Sequence, residues 1–319
     1  MISLIKNEWL KIFKRSGTYV MIGILVLIVS IAGAFMKYQD TRGSVPDNED
    51  WKKGLEMQNA SYQKELEEMG DMLPVDVKES YERTIAINDY RIENNLSPNQ
   101  DYSSLSFIAD MSSLIDFVGL FMIIIAGGIV ASEFTWGTIK LLLIRPIKRE
   151  KILVSKYITM LLFGGSLLLL LFVFSGLLGV LLFGTGGQSS PYLNYQDGTV
   201  TEQSMLFHLM KVYGLSSINM IMLATMAFMI SAAFRSSSLA IGLSIFLMFV
   251  GGQVTQLVAM KYEWAKFSLF ANTDLFQYFE GTPMLPGMTL GFSIIMLIIY
   301  FLLFQAVAFL MFKKRDVAA

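Results

Sequence analysis

Few side chains in this sequence could do covalent chemistry. Cysteine is absent and there is one histidine, His208. Thiol catalysis, disulfides and zinc sites built on paired histidines are therefore excluded. No Gly-x-x-x-x-Gly-Lys-[Ser/Thr] phosphate loop occurs, and neither His-Glu-x-x-His nor Gly-x-Ser-x-Gly is present. An intramembrane enzyme would need a nucleophile and base, or a metal pair, among the apolar runs, and they hold none. Their one charged residue is Asp116, accompanied by the polar Asn219, Gln253 and Gln256. A mid-membrane carboxylate can mark an ion or substrate pathway, and one near a helix end can simply be an interfacial group close to water. The three amides suit interhelical hydrogen bonds first, with a pathway wall as the other open reading.

The densest run of recognition chemistry is Ser132–Lys156, which contains Glu133, Phe134, Trp136, Gly137, Thr138, Lys140, Arg145, Pro146 and Arg149. These residue types bind rather than react: aromatic anchors, cations for ion pairs, and two backbone punctuators. Ser132 is suited to cap a helix with Glu133 in its first turn, and the residue before Pro146 is pushed out of the α region. The expectation is a short amphipathic helix over 132–150 at a membrane face. A basic loop also satisfies the positive-inside rule, but that rule does not require Glu133, Gly137, Thr138 and Pro146 at this spacing.

The elements that position these residues follow from composition. The chain has 319 residues, of which 54% are hydrophobic and 16% charged. A soluble domain carries about a quarter charged residues. Net charge is −1, so no bulk basic surface for nucleic acid exists. Six apolar runs reach the ~20 residues that cross a bilayer as helix: Gly17–Met36, Met111–Ala131, Tyr157–Gly184, Val212–Phe234, Ser238–Met260 and Met288–Phe312. The predicted fold is an all-α polytopic membrane protein. Tyr157–Gly184 exceeds the length needed, so it tilts, starts below the membrane or breaks near Gly164-Gly165. Pairs of small residues, Gly127 with Ala131 and Gly251-Gly252, suit close packing inside one bundle or a dimer seam.

Lysine and arginine concentrate in 1–16, 132–156, the turn 235–237 and the tail 313–319. The segments 185–211 and 261–287 hold only Lys211, Lys261 and Lys266. Both termini are therefore expected in the cytoplasm. Residues 1–16 place Ile2, Ile5, Trp9, Ile12 and Phe13 opposite Ser3, Asn7, Lys11, Lys14 and Arg15, the pattern of an interfacial helix. Ala32-Gly33-Ala34 resembles a signal-peptidase site, but the preceding apolar run exceeds a signal core of about 7–15 residues, so a retained first span is expected.

Residues 37–110 form a polar insertion, expected outside the cell, with 8 Lys/Arg and 16 Asp/Glu. Asp50–Met69 and Asp76–Asn94 read as helices broken at Pro74, with Tyr81, Ile85, Ile92 and Leu96 on one stripe and a turn around Pro98. Such a hairpin can cap the bundle or, given its acidity, receive a cationic ligand. Asn59-Ala60-Ser61 matches a glycosylation sequon.

The stretch Glu133-Phe-Thr-Trp-Gly137-Thr138-Ile-Lys-Leu-Leu-Leu-Ile-Arg145-Pro146-Ile-Lys-Arg149 closely resembles the loop after the second span in permease subunits of ABC-2-type transporters. The amphipathic start, the large insertion, the short Phe234–Ser238 turn and Ile87–Pro98, which looks like a Gram-positive bacterial subgroup, extend the resemblance over nearly the whole chain. It implies a multi-pass subunit of the bacterial cell membrane. The ATPase would be a separate chain carrying ATP and Mg, and this chain would carry no cofactor of its own. A second permease subunit, identical or different, and membrane lipid are the other implied partners. Residues 132–150 would be the coupling helix, with Glu133, Arg145 and Arg149 as ion-pairing groups and Phe134 and Trp136 as anchors. Lys261–Gly287 would be a re-entrant element in which Trp264, Phe267 and Phe270 line an outer gate, and an aromatic belt explains the same residues. The implied activity is export of an amphipathic or apolar cargo, such as a peptide antibiotic, drug or lipid-like molecule. A sensor or resistance module signalling through the acidic insertion is the competing reading.

Overall fold

A computed structural model of the chain describes residues 1–42, 51–70, 72–98, 102–135, 137, 147–184, 191–196, 198–234 and 236–314. Six helices are long and apolar enough to cross a membrane: Ser16–Thr41, Ser104–Thr135, Arg149–Phe183, Met205–Ala233, Ser237–Ala259 and Leu290–Lys313. They build a helical membrane protein around the second and fourth, which are the most enclosed.

The chain opens with α1 (Ile2–Phe13) and turns at Arg15 into α2 (Ser16–Arg42), where the Thr18 hydroxyl donates to the Ile12 carbonyl at 2.6 Å. The insertion follows as a hairpin of α3 (Trp51–Met69) and α4 (Val75–Glu93). Tyr62 stacks on Tyr81 at 4.5 Å, and Tyr81, Ile85, Ile92 and Leu96 are all half-buried, as their stripe predicts. Asn59 is buried, donates to Asp89 at 2.7 Å and accepts from Asn88 at 2.8 Å. The sequon asparagine is thus a packing residue that no glycan reaches.

The second long helix comprises α5 (Ser104–Met111), a 3-10 turn at Ser112–Leu114, α6 (Ile115–Ile129) and α7 (Ala131–Thr135). Serine 132 does not cap a new helix. It is buried inside α7, which extends the second helix, and Gly137 beyond it has φ 70°. That left-handed conformation favours glycine because a Cβ strains it. The third helix, α8 (Arg149–Phe183), is unbroken over 35 residues, so the expected break at Gly164-Gly165 is absent. Gly164 instead lies against the thioether of Met122.

Between α8 and α9 (Met205–Ala233) the chain forms an antiparallel hairpin, β1 (Tyr192–Gln196) with β2 (Thr199–Gln203), pairing Tyr192 with Gln203 and Gln196 with Thr199. This ribbon is a local exception to an otherwise helical fold, because alternating residues on either side of Asp197-Gly198 suit two paired strands. The fifth long helix is α10 (Ser237–Ala259) and the last is α13 (Leu290–Lys314). Between them run a 3-10 turn (Glu263–Phe267), α11 (Leu269–Asn272) and α12 (Gln277–Glu280).

Close approaches between helices use the small residues within the chain. A Cβ on Gly127 would lie 2.7 Å from the Ile241 side chain and 3.1 Å from its backbone nitrogen, so α6 and α10 touch through backbone. Gly251 is covered by the ring of Phe270 in the same way. Gly127 and Gly251 therefore serve packing inside one subunit, whereas a Cβ on Gly252 would meet nothing within 4 Å.

Candidate functional site

The two described ends of the Ser132–Lys156 segment, in α7 and in α8, converge on one constellation. Glu133 of α7 is buried, as are Lys156 of α8 and Glu8 of α1. Lysine 156 donates to Glu8 Oε2 at 2.7 Å and to Glu133 Oε1 at 2.9 Å. Lysine 11 donates to Glu8 Oε1 at 2.9 Å and to Glu133 Oε1 at 2.9 Å. Two carboxylates and two ammonium groups thus alternate around a closed ring, so the four formal charges cancel. Burial works against the charge on Lys11, but the Glu8 and Glu133 carboxylates outweigh it and hold its pKa above the ordinary lysine value. Alternation is what makes the burial tolerable, since an unpaired charge here would be costly.

Local sequence sets the ring. In α1, Glu8 and Ile12 lie one turn apart and share the buried face. Trp9 and Phe13 stack at 4.7 Å, and Phe13 meets Phe163 of α8 edge-on at 6.2 Å. These aromatic contacts seat α1 along α8 and present Glu8 to Lys156. Ile152 and Leu153 bury the first turns of α8, and Ser155 and Thr159 return hydrogen bonds to their own helix, so Lys156 is the polar group left facing the ring. At the same end Arg149 donates to the Lys313 carbonyl at 3.2 Å, and Lys313 pairs with Glu150 at 3.1 Å. The start of α8 is therefore tied to the end of α13 as well.

The residues proposed from the loop divide. Glu133 points into the molecule, not outward to a partner, because α7 continues the second helix and turns position 133 towards α1 and α8. Phe134 is half-buried on the core, and Gly137 is exposed. Arg149 holds the end of α13. Trp136, Thr138, Lys140, Arg145 and Pro146 lie outside the described residues. Sequence reading missed Glu8, Lys11 and Lys156 as a set. One signal was present: Glu8 is the single acidic residue before Asp40, in an otherwise basic amphipathic segment.

The pathway candidates lie towards the other end. Asp116 is exposed on α6 beside exposed Phe117, and Asp274 is its electrostatic neighbour. Gln253 and Gln256 are exposed on α10, and Asn219 is half-buried on α9. Of the aromatic candidates, Phe270 is drawn into the bundle over Gly251, whereas Trp264 and Phe267 stay exposed. Thr255 and Ser268 hydroxyls, 3.0 Å apart, and the Asn272–Ser293 hydrogen bond of 2.7 Å hold this folded-back segment between α10 and α13. Among the described residues no group of His, Asp or Glu side chains could hold a metal ion.

The family described as "Protein of unknown function (DUF2705)" matches residues 84–318. "Uncharacterized protein YhcI" of Bacillus subtilis (strain 168) is 51% identical over 320 residues, covering 100% of both chains. "Uncharacterized membrane protein YdbK" of the same organism is 33% identical over 224 residues, covering 70% of this chain and 87% of that one. No solved structure matches the chain.

Proposed function

We propose that this chain, which belongs to the DUF2705 family, is the membrane-spanning permease subunit of an ATP-driven ABC-2-type exporter. The observation that carries this reading is the pinning of both roots of the 132–156 loop by one buried ring of charge. A docking loop transmits force only if its ends are fixed to the elements that must move. Glu133 belongs to the second helix, Lys156 to the third, and Glu8 and Lys11 to the N-terminal helix. A push on the loop is thereby delivered to three elements at once. Trp136, Lys140 and Arg145 are the loop residues proposed to meet a separate ATPase chain, which brings ATP and Mg.

The basic end faces the cytoplasm in this reading, and the insertion, the hairpin and the Lys261–Gly287 gate segment face outward. A second permease subunit covers Asp116, which is exposed on α6, because a carboxylate on a membrane helix avoids lipid. The cargo is amphipathic or apolar, since Asp116 is the one charged residue within the six apolar runs. The test is co-purification of the tagged chain with the products of its neighbouring genes in mild detergent. A stoichiometric soluble partner with a phosphate-loop motif, lost with Arg145→Glu, is expected. Recovery of the chain alone, unaffected by Arg145→Glu, overturns the proposal.

One observation favours a second reading. The acidic insertion reaches the gate segment directly through Arg83 and the Glu280 carbonyl, 2.5 Å apart. A sensor that uses the same ATPase would read ligand through that contact. Removing the insertion would then abolish signalling, whereas an exporter would continue to transport.

A further inference from the structure

Four elements meet at Glu280, at the end of the molecule opposite the charge ring. The carboxylate lies on α12 in the gate segment. Arg83 of the insertion donates to the Glu280 carbonyl at 2.5 Å, and its other amine is 3.8 Å from the Glu280 carboxylate. That same amine donates to the Tyr192 hydroxyl of β1 at 3.3 Å. His208, in the first turn of α9, places Nδ1 2.9 Å from Glu280 Oε1. The Tyr192 ring stacks flat on the imidazole with centroids 3.6 Å apart. Both His208 and Glu280 are almost enclosed. No other contact among the described residues joins insertion, hairpin, gate segment and a membrane helix at one side chain.

We propose that the His208–Glu280 contact is a proton-operated latch that clamps the gate segment 261–287 against the insertion and hairpin. Imidazole is the one side chain whose ordinary titration falls between pH 5 and 8, and His208 is the chain's single histidine. Protonation puts a cation against the Glu280 carboxylate and beneath the face of Tyr192, and both attract it. Phe276 packs edge-on to the imidazole at 6.1 Å and adds no charge. Two cations oppose protonation. Arg83 is spent on the far oxygen of Glu280 and on its carbonyl. Lys211, one turn along α9, is drawn aside by Gln203 at 3.0 Å and by the Phe279 ring at 5.7 Å. Glu202 of β2 accepts from Tyr90 of the insertion at 3.3 Å. The balance favours a latch closed with the imidazolium and loosened to the Arg83 contacts alone when the proton leaves. This device is independent of the ATPase reading, because it needs only this chain.

The absence of cysteine gives a clean test. Exposed Glu79 on α4 and exposed Pro283 in the gate segment are replaced with cysteine and nitroxide-labelled in the full chain, in nanodiscs. Pulsed electron–electron distances are recorded from pH 5.5 to 8. The expected result is one short, narrow distance at pH 5.5 that lengthens and broadens by pH 8. His208→Gln should hold the pH 8 distribution throughout. Glu280→Gln keeps the side-chain shape, tests the same contact separately, and should also abolish the pH response. A distribution that ignores pH in the parent, or a response that survives either substitution, overturns the proposal.

Discussion

The two ends of this molecule each bury a charge cluster, but they are built from different acids and bases. At the basic end two lysines and two glutamates close a ring across α1, α7 and α8. At the far end one glutamate gathers an arginine, a tyrosine and a histidine from the insertion, hairpin and α9. The ring is built only from lysine and glutamate, residue types whose ordinary pKa values lie far from neutrality. The far cluster is built around the chain's single histidine. One is a fixed joint and the other a conditional contact, and this difference assigns rigidity to the loop roots and adjustability to the cap.

The largest effect is expected where the ring is broken. Lys156→Met leaves two buried carboxylates sharing Lys11, and losing one partner of a buried pair costs about 3–5 kcal/mol. Thermal unfolding in detergent, with recovery of monodisperse chain, should fall sharply. The sharper comparison reverses all four charges together, Glu8→Lys, Lys11→Glu, Glu133→Lys and Lys156→Glu. This restores alternation and should recover most of the loss; recovery no better than Lys156→Met would mean that shape, not charge, holds the joint. Next comes Gly127→Val, which forces side-chain atoms into the α10 backbone. Overpacking of this kind costs roughly 1–3 kcal/mol, and it should depress stability equally at every pH.

The pH profile should separate the ends. Lys11 has a pKa raised in the fold, so its contribution is fully present below the ordinary value of 10.5 and disappears as pH climbs through the folded value. Burial pushes the Glu280 carboxyl up, but His208, Tyr192 and Arg83 outweigh this and hold it below the ordinary value. Its contribution is present above 4.5 and disappears as pH falls through the folded value. Local hydrogen exchange should therefore show the cap loosening as pH rises towards 8, when the latch opens, and the basic end only later, as pH climbs through the raised Lys11 value; in strong acid the cap loosens again through Glu280. The reverse order would remove the basis of the comparison. At the bottom of the scale, Lys64→Ala removes an exposed pair with Glu68 and should change stability by less than about 0.5 kcal/mol, because solvent screens such pairs.

How much of this was legible varies with the range of the signal. The six apolar helices and the two insertion helices were readable because hydropathy and Pro74 act locally. The hairpin was not read, although Asp197-Gly198 is a strong turn signal, because it was taken for loop between two dominant apolar runs. The ring was illegible as a unit because Glu8 and Lys156 are 148 residues apart. Its one clue, a lone glutamate in a basic segment, has meaning only when α8 is laid against α1. The role expected for Glu133 reversed for the same reason: its residue type suggested an ion pair, and only the continuation of α7 showed that the partner lies within the chain.

The third helix, α8, has a mechanical consequence. Its 35 residues make a rod about 52 Å long. Lys156 sits near one end, and Phe183 at the other packs edge-on against Tyr102 at 4.6 Å. With Gly164 seated on Met122, the rod has no hinge in its middle. A lever of this length, pivoting there by about 5°, carries each end through roughly 2 Å. Whatever pulls at the loop roots must therefore be felt, undiminished, where the cap meets the bundle.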